Sequence, residues 1–286
     1  MIDSHKKIIC EARTIQPYFT LCTSSNYNLK VMEDSPISYF YSFVADRSDG
    51  KVLAVPDASI DILFLCDGHD SEARLCGSTT TAKLVDIQKG KYYFGVRFKP
   101  GYIPDFINMH SKNLVDQEFP IDKVIPQATS LLKNITSTKN FEEQIQLFLD
   151  HFQGEIHYKH SPFATQIREK ITKNNGVLKI SNLEEYSGYS SRYISKVFME
   201  YFGLSPKSYA LILRFQYILQ HIILDSDLSL TDAASDLGYS DQSHFSREFK
   251  RFAAQAPGQF IQAVKKREYS SSLSIDDEIL ALRHLH

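Results

Sequence analysis

The hydrophobic residues follow two different periods along the chain. Up to about residue 110, short apolar segments such as 37–44, 60–65 and 92–98 are separated by turn residues. Many short strands at this spacing are typical of an antiparallel sandwich or barrel. From Pro126 onward the apolar residues recur at helical spacing, so the sequence predicts an α+β protein whose strands come first.

Turn residues mark the ends of the predicted strands. Asp49-Gly50 separates the aromatic segment 37–44 from residues 52–55, which predicts a hairpin between these two strands. Residues 92–98 lie between the turns Lys89-Gly90-Lys91 and Pro100-Gly101. Aromatic and other side chains alternate within this segment, so a strand with one inward face is predicted.

Three charged residues lie among these strands. Arg97 falls on the face opposite the inward aromatic residues, so we expect it to reach solvent or a structural ion pair rather than an anionic effector. Asp57 and Asp61 are expected to be a turn cap and a polar group at a strand edge. We therefore assign no catalytic residue to this part of the chain.

Two helices are predicted between the strands and the remainder, at residues 127–135 and 141–152. They would pack on the β-structure or pair with a second copy, and we expect a homodimer through them. The polar segment 154–162 is expected to be a linker. Its histidines, His157 and His160, are expected to be solvated, because no Cys or carboxylate lies at the spacing of metal ligands.

Charge is distributed unevenly over the 286 residues, whose net charge is −2. Residues 159–268 carry 15 Lys and Arg against 11 Asp and Glu, a net +4, whereas residues 1–158 carry 16 against 20, a net −4. A basic second half favours a polyanionic partner. No apolar run approaches the roughly 18 residues of a membrane span, and the amino terminus lacks a signal-like apolar segment. The four cysteines show no paired spacing, so we expect a reduced, cytoplasmic protein.

An internal repeat occupies residues 180–262. Four pairs of landmarks recur at a constant offset of 51 residues, namely Ile194 and Phe245, Phe198 and Phe249, Pro206 and Pro257, and Tyr209 and Phe260. Such matches at one offset predict a duplicated structural unit rather than an irregular helical bundle with basic faces.

Each copy is predicted to contain a short helix, a glycine-containing turn and a second helix. In the first copy, Ser181 and Glu184 form a candidate capping box, Gly188 ends the short helix and Ser190 caps the next. The corresponding residues of the second copy are Ser229, Asp232 and Gly238.

The second helix of each copy has an apolar back and a polar, basic front, which is the pattern of a helix-turn-helix reading helix. Pro206 opens a long apolar helix between the copies. A rigid spacer of this kind would hold two reading helices apart. A separation of about 34 Å, one helical turn of DNA, would place them in successive major grooves.

Residues 180–267 resemble the DNA-binding module of the AraC/XylS regulators. The resemblance is carried by the motif Ala-x-x-x-Gly-Tyr-Ser-Asp-Gln-Ser-His-Phe-Ser-Arg-Glu-Phe-Lys-Arg over 234–251, and it continues at Pro257, at Phe260 and at Arg214 in the spacer. It implies double-stranded DNA as a partner and RNA polymerase as a further one. Two positions depart from the family pattern: Glu184, where alanine is common, and Ala254, where glycine usually provides a left-handed backbone.

The same resemblance assigns roles to nine side chains. The residues that correspond to base-reading positions are Arg192, Ser195 and Lys196 in the first unit, and Gln242, Ser243 and Arg247 in the second. Arg and Lys can donate to guanine and Gln can engage adenine. The residues placed for phosphate contacts are Lys207, Lys250 and Arg251.

Residues 1–120 resemble the cupin-like sensor domain that precedes some AraC-type modules. The resemblance is carried by Val55-Pro56-Asp57, residues 60–64, Gly77 and residues 95–101, and it implies a pocket for a small-molecule effector or a partner surface. The His pair of metal-binding cupins is absent. We therefore expect no metal, no cofactor and no enzymatic activity.

Two alternatives stay open beside an effector-controlled regulator. In the first, a protein partner or abundance alone controls DNA binding, and the N-terminal domain serves only dimerisation. The second is alkyl transfer to a cysteine at a zinc site, as in some DNA-repair regulators. The two close cysteine pairs of such a site are absent from the four cysteines, Cys10, Cys22, Cys66 and Cys76. One equivalent of zinc in the purified protein would revive this alternative.

The predicted organisation has four parts. Residues 1–153 form an antiparallel β barrel or sandwich with flanking helices, residues 154–162 a linker, and residues 163–268 an all-α domain of two helix-turn-helix units joined by a long helix. Residues 269–286 form a tail, with a flexible joint at 270–272 and a short helix at 276–286 that docks on the protein or frays.

Overall fold

A seven-stranded sheet forms the centre of the N-terminal half in the computed structural model, which describes residues 14–23, 27–47, 50–152, 156–224, 234–235, 237–266 and 273–275. In chain order the strands are β1 Tyr27–Val31, β2 Ile37–Val44, β3 Lys51–Ala54, β4 Asp61–Leu65, β5 Glu72–Cys76, β6 Lys83–Asp86, β7 Tyr92–Phe98, β8 Glu118–Pro120 and β9 Leu273–Ile275. The sheet has the order β8-β5-β4-β7-β2-β1-β9, and β3 pairs with β6 in a separate ribbon. All neighbours are antiparallel except β1 and β9. Over the described residues the sheet is therefore open, with β8 and β9 at its edges.

The predicted hairpin between residues 37–44 and 52–55 is wrong. β2 lies between β1 and β7, and β3 pairs with β6 instead. Seven of the eight residues of β2 are buried, whereas β3 has an exposed Lys51 and two half-buried positions. A strand buried on both faces belongs inside a sheet, and a partly exposed one is suited to a surface ribbon.

Both faces of β7 are covered, which overturns the expected outward position of Arg97. Helices α2 Ala128–Thr136 and α3 Phe141–His151 pack on one face, where the rings of Phe148 and Phe40 lie 5.7 Å apart. A short helix, α1 Pro17–Leu21, and the ribbon cover the other face. Arg97 is only 4% exposed and lies on this second face, in ion pairs with Asp57 and Asp61. The alternation in the sequence identified the two faces correctly, but it could not show that a second layer covers both.

In the described part of the C-terminal half, six helices have defined bounds: α4 Pro162–Lys173, α5 Ile180–Ser187, α6 Ser191–Phe202, α7 Pro206–Leu224, α8 Gln242–Ala253 and α9 Pro257–Lys266. The long helix α7 confirms the predicted spacer, and its apolar residues Ile212, Phe215, Ile218 and Leu219 are each 1% exposed or less. They lie in one core with Ile194 and Phe198 of α6 and Phe245 and Phe249 of α8. The spacer therefore packs against both reading helices.

The two halves are in direct contact. Leu21, Val55 and Ala58 of the N-terminal half belong to the core of the C-terminal helices. Part of the predicted linker is also fixed to the sheet domain, since the backbone N–H of Lys159 donates to the carbonyl of Ile103 at 2.9 Å. His157 and His160 are exposed as expected, but the backbone around them is hydrogen-bonded to the sheet domain.

Several predicted features fall outside the described residues. They are the caps at Ser229 and Asp232, the joint at 270–272 and the helix at 276–286. Strand β9 shows that residues 273–275 of the tail pair with β1. In the part of the chain that is described, no helix is long and apolar enough to cross a membrane.

Candidate nucleic-acid interface

Helix α6 has the geometry predicted for the first reading helix. The Ser190 hydroxyl caps it by accepting from the Tyr193 N–H at 3.4 Å. Ile194 and Phe198 are buried on its back. On its front, Arg192 and Lys196 are exposed and Ser195 is half-buried. All three predicted base-reading residues therefore lie on the side that faces away from the core.

The predicted capping box at Ser181 and Glu184 is wrong. Helix α5 begins at Ile180, so Asn182 occupies the third helical position and accepts from the Lys179 N–H at 3.0 Å. Glu184 instead accepts from the Ser191 N–H at 2.6 Å. A carboxylate at a helix N-terminus satisfies a free N–H group and interacts favourably with the helix dipole. Glu184, unusual for the family, thus connects α5 to the start of the first reading helix.

Helix α8 repeats this arrangement in the second unit. Asp241 caps it by accepting from the His244 N–H at 2.7 Å, and this hydrogen bond lowers the pKa of the Asp241 carboxyl. Phe245, Phe249 and Phe252 are each 1% exposed. The predicted DNA-contacting residues of this helix are all exposed: Gln242, Ser243, Arg247, Lys250 and Arg251. Lys207, the second residue of α7, is exposed as well.

Ala254 ends the second reading helix in the left-handed conformation expected of this position. Its φ is +57°, and the matching Gly203 after α6 has a φ of +71°. Alanine is strained in this region, whereas glycine is not. The departure from the family pattern therefore leaves the turn intact at a cost in stability.

A largely buried ion pair that sequence reasoning missed holds the second reading helix. Arg214 Nη2 of α7 lies 2.8 and 2.9 Å from the two carboxylate oxygens of Glu248 on α8. The Arg214 guanidinium also lies 4.0 Å from the ring centroid of Tyr239, whose hydroxyl donates to Glu248. Arg214 and Glu248 stand 34 positions apart, so no local pattern paired them. The family motif contained both residues and was the available signal.

An exposed aromatic group next to the first reading helix was also missed. The rings of Tyr189 and Tyr193 stack 4.8 Å apart, and Phe163 of α4 packs against both. Tyr189 is 50% exposed and Tyr193 is 44% exposed, beside Arg192. The repeated tyrosines just before and within the reading helix were a usable signal.

The N-terminal half contains a cavity of about 50 Å³ between the sheet and the ribbon, lined in part by Asp57, Asp61 and Arg97. Arg97 Nη2 lies 2.7 Å from Asp61 Oδ2 and Arg97 Nη1 lies 3.0 Å from Asp57 Oδ2. Asp57 also accepts from the Ser59 N–H, as the expected turn cap does. No group of three metal-ligating side chains occurs within the described ranges.

Comparisons with known protein families match the two halves of the chain to two different domains. Residues 183–263 match the model of a helix-turn-helix domain. Residues 35–120 match a domain of unknown function (DUF6597), so the resemblance to a cupin-like sensor is not confirmed.

The relatives that match bear the names of regulators. An uncharacterised HTH-type transcriptional regulator of Staphylococcus aureus (strain MRSA252) is 32% identical over 214 residues, which cover 65% of this chain and 28% of the relative. The Msm operon regulatory protein of Streptococcus mutans is 25% identical over 104 residues, 36% of this chain and 37% of the relative. The chain therefore spans well under half the length of these relatives.

Among solved structures, ToxT from Vibrio cholerae is similar over 83% of this chain and 98% of its own, with 13% identity and a TM-score of 0.38. The matched model covers the region of the duplicated units. Residues 183–263 therefore form an AraC-type helix-turn-helix domain.

Proposed function

We propose that this protein is a sequence-specific DNA-binding transcription regulator that reads duplex DNA with α6 and α8. The observation that carries the proposal is the matched geometry of the two helices. Each is capped by a side chain, buries its aromatic or aliphatic back in one core and exposes a polar, basic front. This is the arrangement that inserts a helix into a major groove.

The exposed residues divide into two roles. Arg192, Lys196 and Arg247 would donate to guanine edges, and Gln242 would engage adenine, while Ser195 and Ser243 tolerate several bases. Lys207, Lys250 and Arg251 would contact phosphates, which add affinity without sequence information. Tyr189 and Tyr193, exposed beside Arg192, would enlarge the surface that the first unit presents to DNA.

Effector control is the finer part of the proposal. The cavity of the N-terminal half is connected to the spacer helix by hydrogen bonds that begin at Asp57. Gln16 Nε2 donates to Asp57 Oδ2 at 2.7 Å and to the Val55 carbonyl at 2.6 Å. The neighbouring carbonyl of Pro56 accepts from Gln216 Nε2 at 2.7 Å, and the Ile15 N–H donates to Gln216 Oε1 at 2.8 Å.

Gln216 is 1% exposed and lies in α7, the helix that packs against both reading helices. A ligand that moves Asp57 would therefore act on the element that sets their separation. Substitution Gln216→Leu should leave DNA affinity in place and remove its dependence on any cavity ligand.

Homodimerisation is proposed through α2 and α3. These helices cover one face of the sheet. Their residues Leu132, Leu147 and Leu149 pack against the edge of that core and remain half-buried, among exposed polar residues. Sedimentation should show a dimer at micromolar concentration. A monomer with full DNA affinity would contradict this part of the proposal.

The direct test is recovery of fragmented genomic duplex DNA by the purified full chain. Wild type should enrich a few fragments at moderate salt, and the double variant Lys196→Ala/Arg247→Ala should enrich none. The matched control is Lys89→Ala/Lys123→Ala, which removes two exposed lysines of the N-terminal half and should behave as wild type. Equal enrichment by the two double variants would contradict the assignment of α6 and α8 as reading helices.

A further inference from the structure

The inner end of the N-terminal cavity carries an excess of negative charge. Asp57 and Asp61 are 3% and 8% exposed, and Arg97 is the one cation that pairs with them in the described structure. Three donors point at the oxygens of Asp57, namely the Ser59 N–H, Gln16 Nε2 and Arg97 Nη1. These donors act against the burial of Asp57, which disfavours its charged form.

The single guanidinium leaves Asp57 incompletely neutralised. Burial raises the pKa of the Asp57 carboxyl, and the charge of Asp61 raises it further, against the opposing effect of Arg97. A second positive charge in the cavity would therefore interact favourably with this pair.

At the rim of the cavity, positive charge is in excess among the lining side chains. Arg74 and Lys83 line it together with Glu118, and both cations contact this one carboxylate, at 3.2 and 3.4 Å. The Arg74 side chain is 23% exposed and the Lys83 side chain 40% exposed, so each can reach a ligand at the mouth. Among the side chains that line the rim, two cations stand against one anion. A second carboxylate, that of Glu72, lies 3.8 Å from Arg74 but is 54% exposed and does not line the cavity.

Aromatic side chains line the cavity between its two ends, and the cavity is small. Phe19, Tyr27 and Tyr41 line the cavity, and the rings of the two tyrosines stack 5.7 Å apart. The face of a tyrosine ring attracts a cation and can also pack against an apolar stem. A buried water needs about 10–15 Å³, so a cavity of about 50 Å³ has room for a small ligand. Thr79 Oγ1 is a further lining group that is buried without a hydrogen-bond partner among the described residues.

We propose that this cavity binds a small zwitterion, with its ammonium group at Asp57 and Asp61 and its carboxylate at Arg74 and Lys83. The inference deepens the proposed function by naming the class of effector, and its consequence for DNA rests on that function. The binding itself rests only on the cavity.

Probes that separate the two charges test the proposal on the full chain. The zwitterions glycine, β-alanine and γ-aminobutyrate increase the distance between the charges, while ethylamine carries only the cation and propionate only the anion. At least one zwitterion at about 10 mM should raise Tm, because a ligand that binds only the folded state stabilises it. Ethylamine and propionate at the same concentration should raise it less. Equal shifts with either of them, or no shift with any zwitterion, would overturn the proposal.

Two variants remove one end of the site each. Asp57→Asn should weaken binding of the best zwitterion by about tenfold or more, the usual value of a charge-assisted contact. Lys83→Gln should weaken it while leaving ethylamine binding unchanged, and it keeps the test valid if Asp57→Asn does not fold, because Lys83 lies on the ribbon rim. Lys89→Gln, an exposed neighbour, is the matched control and should bind as wild type. Undiminished calorimetric binding to Lys83→Gln would also overturn the proposal.

Measuring DNA binding without ligand distinguishes the two levels of the account. A chain that selects specific DNA but gives no zwitterion shift overturns only the effector class. A chain that binds a zwitterion through Asp57 and Lys83 but selects no DNA contradicts the proposed function and leaves the site intact.

Discussion

Removing the Arg214 side chain should destabilise the C-terminal half more than any exposed cation does. Arg214 connects the spacer helix to α8 through two contacts of 2.8 and 2.9 Å with Glu248, and the two side chains are 12% and 9% exposed. In Arg214→Met, the Glu248 carboxylate would keep only the Tyr239 hydroxyl as its partner within the described residues.

The size of the expected loss of stability follows from how deeply the ion pair is buried. Loss of one partner of a buried ion pair costs about 3–5 kcal/mol, because the remaining charge is left without compensation. Residual exposure places Arg214→Met near the lower limit, about 3 kcal/mol. Replacing both partners, in Arg214→Met/Glu248→Gln, should cost less than the sum of the two single changes, with a coupling energy of about 1–3 kcal/mol.

Urea unfolding followed by far-UV circular dichroism is the suitable assay, since the chain contains no Trp. The matched control is Lys170→Met, which removes a cation that lies over the exposed ring of Tyr186 and should cost under about 1 kcal/mol. Arg214→Met should also weaken binding to the DNA subsite read by α8 more than to the other. Additive single changes, or a loss no larger than that of Lys170→Met, would refute the reasoning.

Four further predictions concern the turns, the alkaline limit and the phosphate contacts. Ala254→Gly should stabilise the protein by about 0.5–1 kcal/mol in urea unfolding, because glycine adopts a φ of +57° without strain. Gly203→Ala should lower Tm more than Gly188→Ala. Both have a φ above +70°, but only at Gly203 would the new Cβ lie 2.4 Å from a carbonyl oxygen of the N-terminal half. Burial raises the pKa of Tyr18 to about 12, so stability should fall as the pH rises from about 10, the unfolded value, to about 12, and Tyr18→Phe should reduce this slope. Lys207→Ala should weaken binding to all duplexes alike and reduce the slope of log K against log salt by about 1.

Each of these has a result that would count against it. A lower urea midpoint for Ala254→Gly would mean that the left-handed turn is not strained. Equal losses of Tm in the two glycine variants would mean that the halves do not pack at the end of α6 in solution. If stability falls as steeply with alkaline pH in Tyr18→Phe as in wild type, Tyr18 is not the group responsible. If the loss of DNA affinity in Lys207→Ala depends on the sequence of the duplex, Lys207 is a base-reading residue.

The helical half was predictable because its signals are local and repeated. The N-cap at Ser190, the turn at Gly188 and the landmarks spaced by 51 residues identified the reading helices and the spacer. The error at Ser181 and Glu184 had a local cause as well. Two residues at capping-box spacing occurred one position inside a helix that had already begun at Ile180, so the carboxylate was free to bond α6.

The sheet half was less predictable because its pairing is not local. Asp49-Gly50 is a hairpin signal, yet β2 and β3 separate into a sheet and a ribbon, since the burial of β2 on both faces cannot be seen from the turn. The expected structural ion pair of Arg97 is present, but its burial was not predicted, for the same reason. Its alternation with the aromatic residues was correct, and the second layer that buries it comes from α1 and the ribbon, which no pattern within β7 reveals.

The central claim is that α6 and α8 read DNA together across the rigid spacer α7. Selection of bound sequences from random duplexes, with wild type and Lys196→Ala/Arg247→Ala, tests it most directly. The account predicts two subsites about one helical turn, or 34 Å, apart in the wild-type selection and their loss in the variant. Enrichment of a single subsite, or of the same sequences by the variant, would contradict it.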